Sequence, residues 1–348
     1  MLPELTVEAV HWPLSTPFRI SRGVKDAADV VVVAIRDGAR VGRGEAVPYA
    51  RYGETTASVI EQVELARSAV AARLDRRQLQ SLLPPGAARN ALDCALWDLE
   101  SQRHRTPVST LLGRTPLSAI HSAQTVSLDT PERMARAAAQ LAHLDLVKIK
   151  VADADPATLI RAVRSQVPRA RLIVDPNESW TLELLASLQP ALQEARVDLV
   201  EQPLPAGMDE ALLGFESRIR LCADESCHVA EDLPRLRGRY QVVNIKLDKT
   251  GGLSAAMELH ASARAQGFGI MVGCMICSSL AVAPALHVAR DAEFVDLDGP
   301  LWLRDDHAGG VTRRDGLLQP PSPALWGGGL SAATQPGDTA PRHAATAT

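Results

Sequence analysis

Five side chains recur at intervals of about 25 residues along this chain: Lys150, Asp175, Glu201, Asp224 and Lys246. Each closes a short apolar run (LVKIK, LIVD, VDLVE, LCAD, VVNIK) of the kind that forms a strand buried on both faces. About 25 residues is the length of one strand–loop–helix–loop unit, the repeat of a parallel α/β barrel. In such a barrel every strand opens its C-terminal end onto one mouth, so residues far apart in sequence meet there. Strand one is read at 123–128 (AQTVSL), strands two to six at the five runs, strand seven at 268–274 (FGIMVGC) and strand eight at 293–297 (EFVDL). The expected fold class is α/β, a TIM-like (β/α) barrel over residues 121–305.

Residues 1–120 follow another rhythm. The run 30–35 (VVVVAI) is β-branched, Asp37-Gly38 is a hairpin turn signal, 41–46 can pair back, and 6–11 supplies a further strand. Segments 55–71 and 87–100 carry apolar residues at helical spacing. Antiparallel strands followed by helices indicate a separate α+β domain capping the barrel. Residues 306–330 are read as a C-terminal segment that packs back on this domain. Residues 331–348, rich in Ala, Thr and Pro and lacking apolar anchors, read as a disordered tail.

At 348 residues the chain has room for one barrel and a smaller domain. A net charge of −4 offers no basic footprint for nucleic acid, which favours a small-molecule substrate. No apolar stretch reaches the 18 or more residues of a membrane span, and the N-terminus lacks the basic and apolar regions of a signal peptide. A cytoplasmic enzyme is expected, with a homo-oligomer left open. Five cysteines, an odd number, argue against a disulfide framework. Cys274 and Cys277 are read as packed, reduced thiols in spite of their C-x-x-C spacing.

Asp175, Glu201 and Asp224 would end three adjacent strands. Three carboxylates in one cleft repel each other unless a cation joins them, and an all-oxygen set suits Mg²⁺. Lys148 and Lys150, two apart on a strand, share a face. Both are expected to point into the mouth and to lower each other's pKa, which makes one of them a competent base. The lysines, Lys148 above all, are also read as neutralising the metal carboxylates. Lys246 ends strand six, across the barrel. Lysines on opposite sides of a metal site can remove a proton from one face of a carbon and return it to the other.

Several motifs appear in a fixed order: KIK at Lys148–Lys150, VDPNESW from Val174, VEQPLP from Val200, ADESCH ending at His228 and NIKLDKTGG from Asn244. In these the chain resembles the enolase superfamily, muconate-lactonizing-enzyme subgroup, over residues 5–305, including TPFRISRG and PYARYGET in the capping domain. The resemblance implies that Asp175, Glu201 and Asp224 ligate Mg²⁺ and that Lys150 and Lys246 are the two acid/base catalysts, with Lys148 in support. It also implies a metal-stabilised enediolate, a feature of the superfamily.

Within the subgroup, Asp296-Leu297-Asp298 on strand eight points to the reaction. Two acids beyond the metal set suit a substrate ammonium, as in a free dipeptide. DGPLW and GCMICSS likewise resemble dipeptide epimerases, particularly the L-Ala-D/L-Glu epimerases. Lys25, Arg22 and Arg51 in the capping loops fit an acidic second residue. His228, in D-E-x-x-H order, is read as structural. The expected activity is Mg²⁺-dependent dipeptide epimerisation. The alternatives are a lyase or cycloisomerase of the same subgroup, an N-acylamino-acid racemase, or a binding protein without catalysis.

Overall fold

A computed structural model describes residues 2–329. The expected tail at 331–348 lies outside the described residues. The first sheet is antiparallel, with β1 (Glu4–Ile20), β2 (Gly23–Asp37) and β3 (Arg40–Ala46) in that order. β1 runs well past the 6–11 read from the sequence. Pro13 and Pro17 would break an inner strand, but β1 is an edge, and its register with β2 shifts between Pro13 and Phe18. The β1–β2 pair therefore continues as a long hairpin whose tip, Ser21-Arg22, reaches beyond the sheet.

Two helical segments follow. The helix expected at 55–71 is split into Thr56–Leu65 and Arg67–Ala71, and the break at Ala66 keeps Val59, Val63, Ala66 and Val70 all buried. Helix Ala87–His104 lies across the sheet and extends beyond the 87–100 read from the sequence. It passes so close to β3 that a Cβ on Gly44 would fall 2.1 Å from Ala91 O, and one on Gly42 2.2 Å from Ala95 O. Glycine is what admits this approach.

After the short β4 (Ile120–His121), eight short parallel strands form one sheet. They are β5 (Gln124–Val126), β6 (Leu146–Lys150), β7 (Arg171–Asp175), β8 (Leu199–Glu201), β9 (Arg220–Ala223), β10 (Val242–Ile245), β11 (Gly269–Gly273) and β12 (Phe294–Asp296). They pair in sequence order from β5 to β12. Bonds from Ala123 N to Val295 O (2.8 Å) and from Leu297 N to Ser122 Oγ (3.0 Å) bridge the seam, so the sheet is a nearly closed barrel. Helices separate successive strands, as the 25-residue repeat requires. After β12 the chain adds the antiparallel pair β13 (Thr312–Arg314) and β14 (Leu317–Gln319), and β14 pairs in turn with β4. It then returns to the first domain, where Trp326 Nε1 donates to Arg43 O and Cys94 O. Among the described residues no helix is long and apolar enough to cross a membrane.

The barrel interior is layered by the two-residue period of its strands. Ala123, Leu146, Ile173, Leu199, Cys222, Val242, Met271 and Phe294, one from each strand or its threshold, pack as an apolar plug. Two residues further toward the mouth stand Thr125, Lys148, Asp175, Glu201, Asp224, Asn244, Gly273 and Asp296. The site is thus a polar ring set directly on a dry floor.

Between the domains, buried polar groups are hydrogen-bonded across the interface. Asp248 Oδ1 accepts from Val47 N (2.9 Å) and Asn90 Nδ2 (2.8 Å), and Arg89 Nη2 donates to Thr250 O (2.7 Å). Glu45 accepts from Ser278 N and Oγ. Burial pushes the Glu45 carboxyl up to about 7 against the opposing pull of those two bonds. Relative to an ordinary 4.5, the native state keeps a proton that the unfolded chain has released. Its contribution to stability is full below pH 4.5 and is lost as pH rises through 7. Glu45→Gln cannot ionise, so its stability relative to the parent should rise by about 1–3 kcal/mol between pH 5 and pH 8 in urea unfolding. A difference independent of pH would count against this account.

Candidate active site

Each chemistry-bearing residue is placed by the end of its strand. Lys150, Asp175, Glu201 and Asp296 are the last residues of β6, β7, β8 and β12, while Asp224 and Lys246 follow β9 and β10 directly. All six are buried, as is Lys148. The ring of carboxylates is threaded by lysines. Lys148 Nζ lies 3.0 Å from Asp175, 2.6 Å from Glu201 and 2.8 Å from Asp296. Lys150 Nζ donates to Asp175 Oδ2 at 2.6 Å, and Lys246 Nζ to Asp224 Oδ2 at 2.7 Å.

This corrects one expectation. Lys148 was expected to exchange repulsion with Lys150 and lose basicity. Burial does disfavour its charge, but Asp296, Glu201 and Asp175 outweigh burial and raise its pKa. Lys148 is a counter-ion at the level of the carboxylates, whereas Lys150 and Lys246 stand one step nearer the mouth. Burial would push Asp175 up, yet Lys150 and Lys148 hold its carboxyl down to about 2. Burial and then Asp175 push Glu201 up to about 7.

Sequence reasoning passed over several supporting groups. Lys249 is fully buried and donates to Asp224 Oδ1 (2.6 Å), to the Asp224 carbonyl and to Asn244 O (2.9 Å). Asn244 Nδ2 donates to Glu201 Oε1 at 2.8 Å. Gln202 Oε1 accepts from the backbone N–H groups of Asp224 (2.9 Å) and Ser226 (3.1 Å), tying β8 to β9. The signals were present: Lys249 stands three residues after Lys246, and Asn244 lies in the polar ring by the period of two.

The two strand-eight acids, Asp296 and Asp298, are used unequally. Asp296 faces Lys148, whereas Asp298 lies past the strand and accepts from Thr125 N (2.7 Å) and Trp302 Nε1 (3.1 Å). Burial and then Asp296 push Asp298 up to about 6. The capping-loop cations are also engaged. Arg22 donates to Glu178, Glu225, Asn177 O and Tyr49 Oη, and Arg51 grips Glu178 with two bonds. Lys25 Nζ lies 5.3 Å from the Tyr49 ring centroid. His228 contacts Glu225 O (3.1 Å) and the edge of Tyr52, and burial lowers its pKa to about 4. Cys274 and Cys277 are both free thiols.

The donor chemistry of the ring suits a hard divalent cation. Asp175, Glu201 and Asp224 supply buried carboxylate oxygens only, and Glu201 Oε2 accepts no hydrogen bond although Lys148 is adjacent. Among the described residues, no three His, Cys, Asp or Glu side chains are drawn together as metal ligands. Lysine ammonium groups supply the positive charge between them.

This arrangement of bases around strand-end carboxylates accompanies a match along nearly the whole chain. Residues 3–113 match the mandelate racemase/muconate lactonizing enzyme N-terminal domain, and residues 132–335 match the enolase C-terminal domain-like family. The chain belongs to the enolase superfamily. It is 48% identical to the L-Ala-D/L-Glu epimerase of Escherichia coli (strain K12) over 297 residues, covering 85% of this chain and 92% of that protein. It is 46% identical to an N-acetyl-D-glutamate racemase of Pseudoalteromonas sp, covering 86% and 95%. Among solved structures, it resembles an enolase family member from Agrobacterium tumefaciens with homology to dipeptide epimerases, solved with sodium and L-Ala-L-Glu. That match has a TM-score of 0.91 and 45% identity, and covers 93% of this chain and 100% of the other.

In this superfamily member, Lys148→Met removes the charge between three buried carboxylates. The variant should lose about 3–5 kcal/mol in urea unfolding without divalent cations. Added Mg²⁺ should restore more stability to the variant than to the parent. A variant as stable as the parent would rule out the counter-ion role.

Proposed function

We propose that the chain is a Mg²⁺-dependent dipeptide epimerase acting on L-Ala-D/L-Glu by proton transfer on and off one α-carbon. The observation that carries this reading is the position of Lys150 and Lys246. Lys150 ends β6 and Lys246 directly follows β10, four strands apart in an eight-strand barrel and therefore opposite each other, with the carboxylate ring between. The similarity to the Escherichia coli epimerase and to the L-Ala-L-Glu complex supports the substrate.

Asp175, Glu201 and Asp224 hold the Mg²⁺. Bound there, the cation supplies positive charge for the substrate carboxylate as negative charge builds on it. Lys150 Nζ and Lys246 Nζ then work from opposite faces, one removing the α-proton and the other returning one; the opposite epimer reverses the two roles. Lys148 keeps the ring neutral. Asp296 and Asp298 receive the substrate ammonium, and Lys25, Arg22 and Arg51 face the acidic side chain. In this reading the enzyme works in the cytoplasm on peptides from murein turnover.

A second reading has its own support. Asp298 Oδ2 already accepts from Thr125 N and Trp302 Nε1, and Asp296 Oδ2 from Lys148, so an ammonium meets one unpartnered buried oxygen, Asp296 Oδ1, and must compete for the two Oδ2 atoms. An N-acetylated glutamate carries no ammonium, and the Pseudoalteromonas relative is named for that substrate. Exchange of the α-proton in D₂O separates the two. L-Ala-L-Glu should exchange faster than N-acetyl-D-glutamate, and Asp296→Asn should slow only the dipeptide. The reverse order of rates would favour the racemase.

Lys150→Ala and Lys246→Ala should each lower epimerisation by about 10²–10⁴-fold. Each should still exchange one epimer with solvent, because one base remains; normal epimerisation in either variant would sink the two-base scheme. Chelation by EDTA should abolish exchange and Mg²⁺ should restore it. Full activity after exhaustive chelation would remove the cation from the proposal.

A further inference from the structure

Glu178 follows β7 with a φ of +67°, and Asn177 before it has a φ of +47°. Two successive side-chain-bearing residues in the left-handed region persist only where their surroundings hold them. Here the hold is on the Glu178 carboxylate. Arg51 donates from Nε to Oε2 and from Nη2 to Oε1, both at 2.8 Å. Arg22 Nη1 adds a bond to Oε2 at 2.8 Å, and Ala206 N one to Oε1 at 2.7 Å. The side chain is only 7% exposed. Arg22 comes from the tip of the β1–β2 hairpin and Arg51 from the Ala50–Tyr52 turn, so Glu178 is where both capping loops meet the barrel.

A guanidinium fork gripping a carboxylate is also the arrangement that an acidic substrate side chain seeks. We infer that Glu178 is a specificity-determining residue: its carboxylate competes with the acidic side chain of the substrate for Arg22 and Arg51. It thereby sets how strongly an acidic residue is preferred over a neutral one. The charges support this. Arg22 and Arg51 are balanced by Glu178 and Glu225, the latter accepting from Arg22 Nη2 at 2.8 Å. With Glu178 neutral, one positive charge is left over for an incoming carboxylate. The inference rests on the proposed role of Arg22 and Arg51 toward a glutamate side chain.

Glu178→Gln keeps the shape and one acceptor oxygen while removing the charge. The matched substrates are L-Ala-L-Glu and L-Ala-L-Gln, which differ only in the side-chain carboxylate. Their ratio of kcat/KM should rise about tenfold in the variant, the size of one charge-assisted bond transferred to substrate. The gain should appear in KM and shrink with added salt. A ratio that stays level or falls overturns the inference, including the case where both substrates lose kcat together because the loops have come loose. If the Gln variant does not fold, Glu178→Asp withdraws the carboxylate from the fork and is expected to act in the same direction. Calorimetric binding of glutarate gives a readout without turnover: it should bind the variant more tightly than the parent. Equal glutarate affinity sinks this inference. A parent that exchanges no glutamate compound in D₂O sinks the proposed function instead.

Discussion

The structure depends on how buried negative charge is balanced at one end of a barrel. Asp175, Glu201, Asp224 and Asp296 are taken out of water at adjacent or nearby strand ends, where isolated carboxylates would be strongly disfavoured. Lys148, Lys150, Lys246 and Lys249 answer them, each at hydrogen-bonding distance. The ring can be this polar because the next layer inward is wholly apolar and closes the barrel below it. The same charge balance lets four lysines and four carboxylates share one buried layer.

The capping domain extends that balance. Its hairpin tip and its short turn bring two arginines to the barrel mouth, and the barrel loops return Glu178 and Glu225. Gly42 and Gly44 allow helix Ala87–His104 to lie flat on β3, and that helix in turn meets the barrel through Asn90, Arg89 and Trp97. Interface and site are therefore coupled. The arginines at the barrel mouth are held by the same contacts that join the two halves.

Much of this was legible in the sequence. The apolar runs at a 25-residue spacing announce parallel strands, because a strand buried on both faces cannot alternate, and their ends identify the mouth. Lys150, Asp175 and Glu201 could be assigned to strand ends with no further knowledge. Less legible was the partition among the lysines. Lys148 and Lys150 are equivalent on a strand of unknown neighbours; only the neighbouring strands show that Lys148 meets three carboxylates. β1 runs past the 6–11 expected from the sequence, and its place at the sheet edge is what lets it continue through two prolines. Glu178 stood within VDPNESW, but a loop acid has no period, so the motif did not show which groups it meets.

The sequence by itself determined the barrel, the order of its strands and the carboxylates and lysines that stand at its strand ends, because strand length and the period of two leave little freedom. Tertiary structure alone decided which lysine neutralises, which acids remain available and which carboxylate holds the capping arginines. Those outcomes are set by charge pairing between segments far apart in the chain, and pairing is a property of distance, which no local pattern records.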